Sequence, residues 1–164
     1  MRSQPRTWLT ILAAALLIGI LTPASSAGAP APPTDPWAAS QVVQPAALAH
    51  ALAAKAGAKP LVICVGFSVL YQGGHIAGAR YAGPASSAAG RAALRRLVQP
   101  LPRGKAIVLY CGCCPWAMCP NIRPAFSLLK RLGFTNVKVL HMAQNFRTDW
   151  GARGYAMQHG AGSR

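Results

Sequence analysis

Three short, almost uniformly apolar runs constrain this chain most: LVICVGF from Leu61 to Phe67, KAIVLY from Lys105 to Tyr110, and NVKVLH from Asn136 to His141. Each carries β-branched residues and is bounded by turn formers, as buried strands are. A strand that is apolar along its whole length must be covered on both faces, which parallel sheets flanked by helices achieve. The segments between the runs read as those helices. Pro45 to Ala56 sets Leu48 and Leu52 at helical spacing before Gly57, with His50 an exposed helix residue. Ala88 to Leu101 turns Leu94, Leu97 and Val98 inward and Arg91, Arg95 and Arg96 outward. Arg123 to Leu132 follows Asn121 as N-cap, carries Pro124 in its first turn and stops at Gly133. A further short strand is expected within Gly73 to Gly83, and a short helix after Met142. The expectation is an α/β fold: one domain with a central, mostly parallel sheet and helices on both faces.

That domain spans residues 42–157, after a Pro/Ala/Gly-rich lead-in at 28–41 and before a tail at 158–164. Residues 1–27 read as an export signal. Arg2 and Arg6 form a positive start, Trp8 to Leu21 an apolar stretch too short for a membrane span, and Ser25, Ser26 and Ala27 a cleavage site. The protein is therefore expected in the periplasm or secreted, with no stable membrane insertion after cleavage. The 17 Lys and Arg against 2 Asp and Glu suit anionic partners. Because the basic residues form no run longer than Arg95-Arg96, no nucleic-acid partner is expected.

Chemistry concentrates in CGCCPWAMCPNIRP, Cys111 to Pro124, which holds four of the 5 cysteines. Ligands in parallel sheets meet the carboxyl ends of the strands, and Cys111 directly follows one. A thiol there, before a helix, faces loop N–H groups and the positive end of the helix dipole, which favour the thiolate and bind oxyanions. A metal reading competes, since four thiolates suffice for zinc or copper(I), although paired C-x2-C units are missing. Outside the cytoplasm a disulfide also competes, Cys113 or Cys114 with Cys119. A bridge that opens would release a sulfur held on Cys111, or exchange with other thiols. Phosphatase chemistry is a poor fit, because no arginine stands at the required spacing of about five residues: Arg123 is twelve beyond Cys111 and only four beyond Cys119.

Taken together, LVICVGF, GGHIAGA at Gly73 to Ala79, IVLYCG at Ile107 to Gly112, RLGFTNVKVL, and the late Trp150 and Gly154 resemble a rhodanese-like domain. The resemblance implies a sulfurtransferase in which Cys111 carries sulfane sulfur as a persulfide. It implies a small sulfur-containing anion such as thiosulfate as donor, a thiol or protein as acceptor, and neither cofactor nor resident metal. Gly112, Cys113, Cys114, Trp116 and Arg123 are the loop and substrate-binding candidates, and Cys113, Cys114 and Cys119 the disulfide or redox candidates. Three departures mark this chain. Cys64 and Gly66 stand where the family usually has Asp and Arg, the loop is longer and adds three cysteines, and MAQNF replaces a glycine pair after the last strand. Other residues read as structural: His75 ties down its turn, Cys64 is a buried small hydrophobe, and Asp149 has no catalytic role.

Overall fold

In the computed structural model, residues 35–161 are described; the expected export signal, most of the lead-in and the last three residues lie outside them. The three apolar runs form the centre: β2 (Leu61–Cys64), β5 (Ile107–Tyr110) and β6 (Val137–Leu140). Two two-residue strands, β1 (Val42–Val43) and β4 (Arg80–Tyr81), complete a sheet of order β1-β6-β5-β2-β4. Every pairing in it is parallel. The Gly73 to Gly83 stretch divides between sheets: β3 (His75–Ile76) pairs antiparallel with β7 (Met157–Gln158), while β4 joins the centre.

The side-chain period of two sorts the core into two halves. Ile63, Ile107 and Leu109 point to one face, where Leu94 and Val98 of α3 (Ala88–Val98) and Ala125, Phe126 and Leu129 of α4 (Ile122–Arg131) cover them. Val62, Cys64, Val108 and Tyr110 point to the other, under Leu48 of α1 (Pro45–Ala53) and Tyr71 of α2 (Ser68–Gly73). Apolar residues at every position are thus needed because both faces are buried. Each fully buried Leu or Ile in these layers contributes about 1.5–3 kcal/mol by leaving water.

Two expectations are revised here. LVICVGF is a strand only as far as Cys64: Val65 still donates to the Tyr110 carbonyl at 2.8 Å, and the chain then turns into α2. Residues 35–41, read as part of a flexible lead-in, are packed on the domain, because Trp37 is buried and stacks on Trp116 at 5.6 Å between centroids. Its other edge meets Phe126 at 5.5 Å. His75 is fully buried, donates from Nδ1 to the Tyr71 carbonyl at 2.8 Å and stacks on the Tyr71 ring. Among the described residues, no helix is long and apolar enough to cross a membrane.

Candidate functional site

Cys111 continues β5 beyond Tyr110 and falls on the Ile107/Leu109 side of the sheet, toward α4. Two glycines make room for it. At Gly66 a Cβ would stand 2.6 Å from the Cys111 carbonyl oxygen and 3.1 Å from its Sγ, so the close approach of the two chains requires glycine. Gly112 has φ +80, a conformation open to glycine, and a Cβ there would collide with the Phe146 side chain at 2.8 Å. Phe146 opens α5 (Phe146–Asp149) and donates its N–H to the Gly112 carbonyl at 3.0 Å. The site is therefore held between the end of β5 and the segment that follows β6.

All five cysteines are free thiols. Cys113 Sγ lies 3.2 Å from Cys111 Sγ and 3.1 Å from Cys114 Sγ. The sulfurs of Cys111, Cys113 and Cys119 all lie within 4.8 Å of one another. Asn121, fully buried, donates from Nδ2 to Cys111 Sγ at 3.3 Å while its Oδ1 accepts the Ser86 N–H at 3.0 Å.

The neighbours of Cys111 are held as thiols. The nearby Cys111 thiol, and then burial, push Cys119 well above the ordinary thiol range. Burial, reinforced by the bond to Cys114, pushes Cys113 up to about 12, and burial also raises Cys114. Burial holds Cys64 at about 11, a thiol inert across the neutral range. At the start of α4 it is the Asn121 side chain that reaches Cys111.

Cys111, Gly112 and Cys113 border a cavity of about 700 Å³, closed elsewhere by Tyr110, Phe146, Met157 and the exposed Val69. Trp116 is not on it. This residue packs on Trp37 and sets its ring edge to His141, and its N–H is anchored to the Met142 carbonyl at 2.9 Å. Arg123, read as a substrate ligand, is also elsewhere: its guanidinium pairs with Asp35 at 2.6 Å and lies over the Trp37 ring. Cys114 and Cys119 line only a small crevice behind Cys111. The cavity's guanidinium belongs to exposed Arg147 of α5. Sequence reasoning missed Arg147, because it lies far from the cysteine motif along the chain. It also missed the Asn121 side chain, whose position as N-cap concealed it: the residue occupies that place but makes no side-chain cap bond.

No protein-family model matches this sequence, and no curated protein does. Solved structures match its fold. The rhodanese-like domain of an Anabaena protein is 22% identical with a TM-score of 0.54, the match covering 76% of this chain and 83% of that one. A Bacillus halodurans protein is 21% identical with a TM-score of 0.57, over 75% and 80% of the two chains. An anaerobic ergothioneine biosynthesis enzyme from Chlorobium limicola, solved with its natural substrate trimethyl histidine, matches at 22% identity and a TM-score of 0.53. That match covers 73% of this chain but only 28% of the longer enzyme. The five-stranded parallel sheet with its helices is the rhodanese-like fold.

Proposed function

We propose that the protein is an exported sulfurtransferase that carries sulfane sulfur on Cys111. The observation that carries this reading is the placement of Cys111 Sγ. It borders a large cavity at the end of β5, receives the Asn121 Nδ2–H at 3.3 Å, and lies within 4.8 Å of the Cys113 and Cys119 sulfurs.

The chemistry requires a nucleophile and a stabilised sulfur anion. The Cys111 thiolate attacks the outer sulfur of thiosulfate; a Cys111 sulfur–sulfur bond forms, the thiosulfate sulfur–sulfur bond breaks, and its electron pair leaves on sulfite. An acceptor thiolate then attacks the outer sulfur of the persulfide, takes it, and restores the Cys111 thiolate. Asn121 donates to the Cys111 sulfur at 3.3 Å, and Arg147 at the cavity edge meets the donor's charge. The basic composition draws small anions toward the site. The acceptor is a small thiol or the thiol of a protein, and neither nucleic acid nor a membrane takes part.

Turnover of thiosulfate with cyanide or a thiol acceptor, compared between the native protein and Cys111→Ser, tests the reading. Loss of turnover in the variant is expected; equal rates in both would remove Cys111 from the mechanism. A second reading, thiol–disulfide exchange, draws on the 3.2 Å separation of the Cys111 and Cys113 sulfurs. It predicts redox cycling of that pair without any gain of sulfur.

A further inference from the structure

The loop cysteines are not disposed as four equivalent ligands. Among the described residues, the sulfurs of Cys111, Cys113 and Cys119 all lie within 4.8 Å of one another. Cys114 touches Cys113 at 3.1 Å yet stands outside that group. The result is a compact three-sulfur donor set, with Cys111 and Cys119 buried and Cys113 half-buried.

Among the described residues, no carboxylate or imidazole joins that group. The chain has 2 acids, Asp35 and Asp149. Asp35 pairs with Arg123, and Asp149 accepts the N–H groups of Gln144 and Asn145 at 2.7 and 3.0 Å. His141, in contact with Trp116 of the same loop, engages Gln44 through Nδ1 at 3.1 Å. Carboxylate-seeking ions such as Mg²⁺ and Ca²⁺ find no ligand here. Structural zinc closes with four ligands in a tetrahedron, and the fourth sulfur is displaced from the other three. Thiolate-only sets select soft ions, and Cu(I) accepts three sulfurs in a plane.

The geometry points to a Cu(I) site formed by Cys111, Cys113 and Cys119. The ion enters from the cavity that Cys111 and Cys113 border. As it binds, three copper–sulfur bonds form and whatever protons the three sulfurs hold pass to water, with no change in the oxidation state of copper or sulfur. The ion then occupies the Cys111 sulfur, so copper and sulfane sulfur exclude one another on that residue. Copper binding is read without turnover, so it stands or falls separately from sulfur transfer.

The test uses the reduced full-length chain, titrated with Cu(I) without oxygen in competition with bicinchoninate, and X-ray absorption on the copper-loaded native protein. One Cu(I) per chain with three sulfur neighbours is expected. Cys113→Ser and Cys119→Ser should each weaken binding by more than about tenfold, the least that even an outer-shell change produces at a metal site, while Cys114→Ser leaves it unchanged. Because buried Cys119 also packs the core, the sulfur count on the native protein decides the matter should that variant unfold. Complete retention of copper by the chelator, a four-sulfur count, or equal weakening by Cys114→Ser would overturn the assignment.

Discussion

Asn121 donates from its amide nitrogen to Cys111 Sγ at 3.3 Å, and the same amide holds the Ser86 N–H through its oxygen at 3.0 Å. The Ser86 donor leaves one orientation for the amide, with nitrogen toward sulfur. A side chain at the start of α4 is thereby fixed from α3's approach and aimed at the end of β5. Replacing it with an apolar group of similar size removes both bonds. Asn121→Leu is expected to lower kcat/KM for sulfur transfer by about 10²-fold, as loss of one preorganised donor does. It should also lower stability by about 1–3 kcal/mol, because the Ser86 N–H loses its partner. Steady-state rates and urea unfolding measure the two effects separately; a change in stability alone would assign Asn121 to the scaffold.

Two arginines separate binding from structure. Arg147 borders the Cys111 cavity, whereas Arg123 is paired with Asp35 and lies over Trp37. Arg147→Ala should raise KM for thiosulfate several-fold with kcat little changed. Arg123→Ala should leave KM unchanged and lower the unfolding midpoint, since it releases the segment that carries Trp37. The reverse pattern in steady-state kinetics would return the anion to Arg123.

Gly66 and Gly104 offer a paired test of the close approach at Cys111. A Cβ at Gly66 would lie 2.6 Å from the Cys111 carbonyl oxygen, a backbone atom that cannot swing aside, while a Cβ at Gly104 meets nothing within 4 Å. Gly66→Ala is expected to cost about 1–3 kcal/mol, in the range of overpacking, and to reduce turnover by moving Cys111. Gly104→Ala should be neutral in both, as measured by thermal unfolding and by initial rates.

Burial of Cys64 makes stability fall with alkali. Its thiol is raised from an ordinary 9.0 to about 11. A group whose folded value is the higher one stabilises the fold fully below its unfolded value and ceases to do so as pH rises through its folded value. Unfolding free energy under reducing conditions should therefore decline from about pH 9 toward pH 11, with Cys64 contributing roughly 3 kcal/mol of the fall. In Cys64→Ala the slope should be shallower across that interval. Parallel slopes in the two proteins would show that Cys64 does not drive it.

The sequence made the middle of this fold legible and its margins not. LVIC, IVLY and VKVL announce themselves because burial on both faces demands apolar residues at every position. Val42 and Val43 carry no such signal; they become a strand because Val139 and Leu140 of β6 offer an open edge in register. The GGHIAGARYAG stretch reads as one strand but divides, since His75 and Ile76 pair with Met157 and Gln158, a partner supplied from the far end of the chain. In the site, the position of Cys111 follows from β5 alone. The loop that follows is decided by three-dimensional packing. Spacing cannot tell that the Asn121 side chain leaves its cap position for Cys111. Nor does it show that Trp116 and Arg123 are occupied by Trp37 and Asp35.

The central claim is that Cys111 is the sulfur carrier, and peptide-resolved mass spectrometry of the reduced protein after exposure to thiosulfate tests it most directly. The account predicts a gain of about 32 Da, one sulfur, on Cys111, removed by an acceptor thiol and absent from Cys111→Ser. A gain located on Cys113, Cys114 or Cys119, or one that survives unchanged in Cys111→Ser, would contradict it.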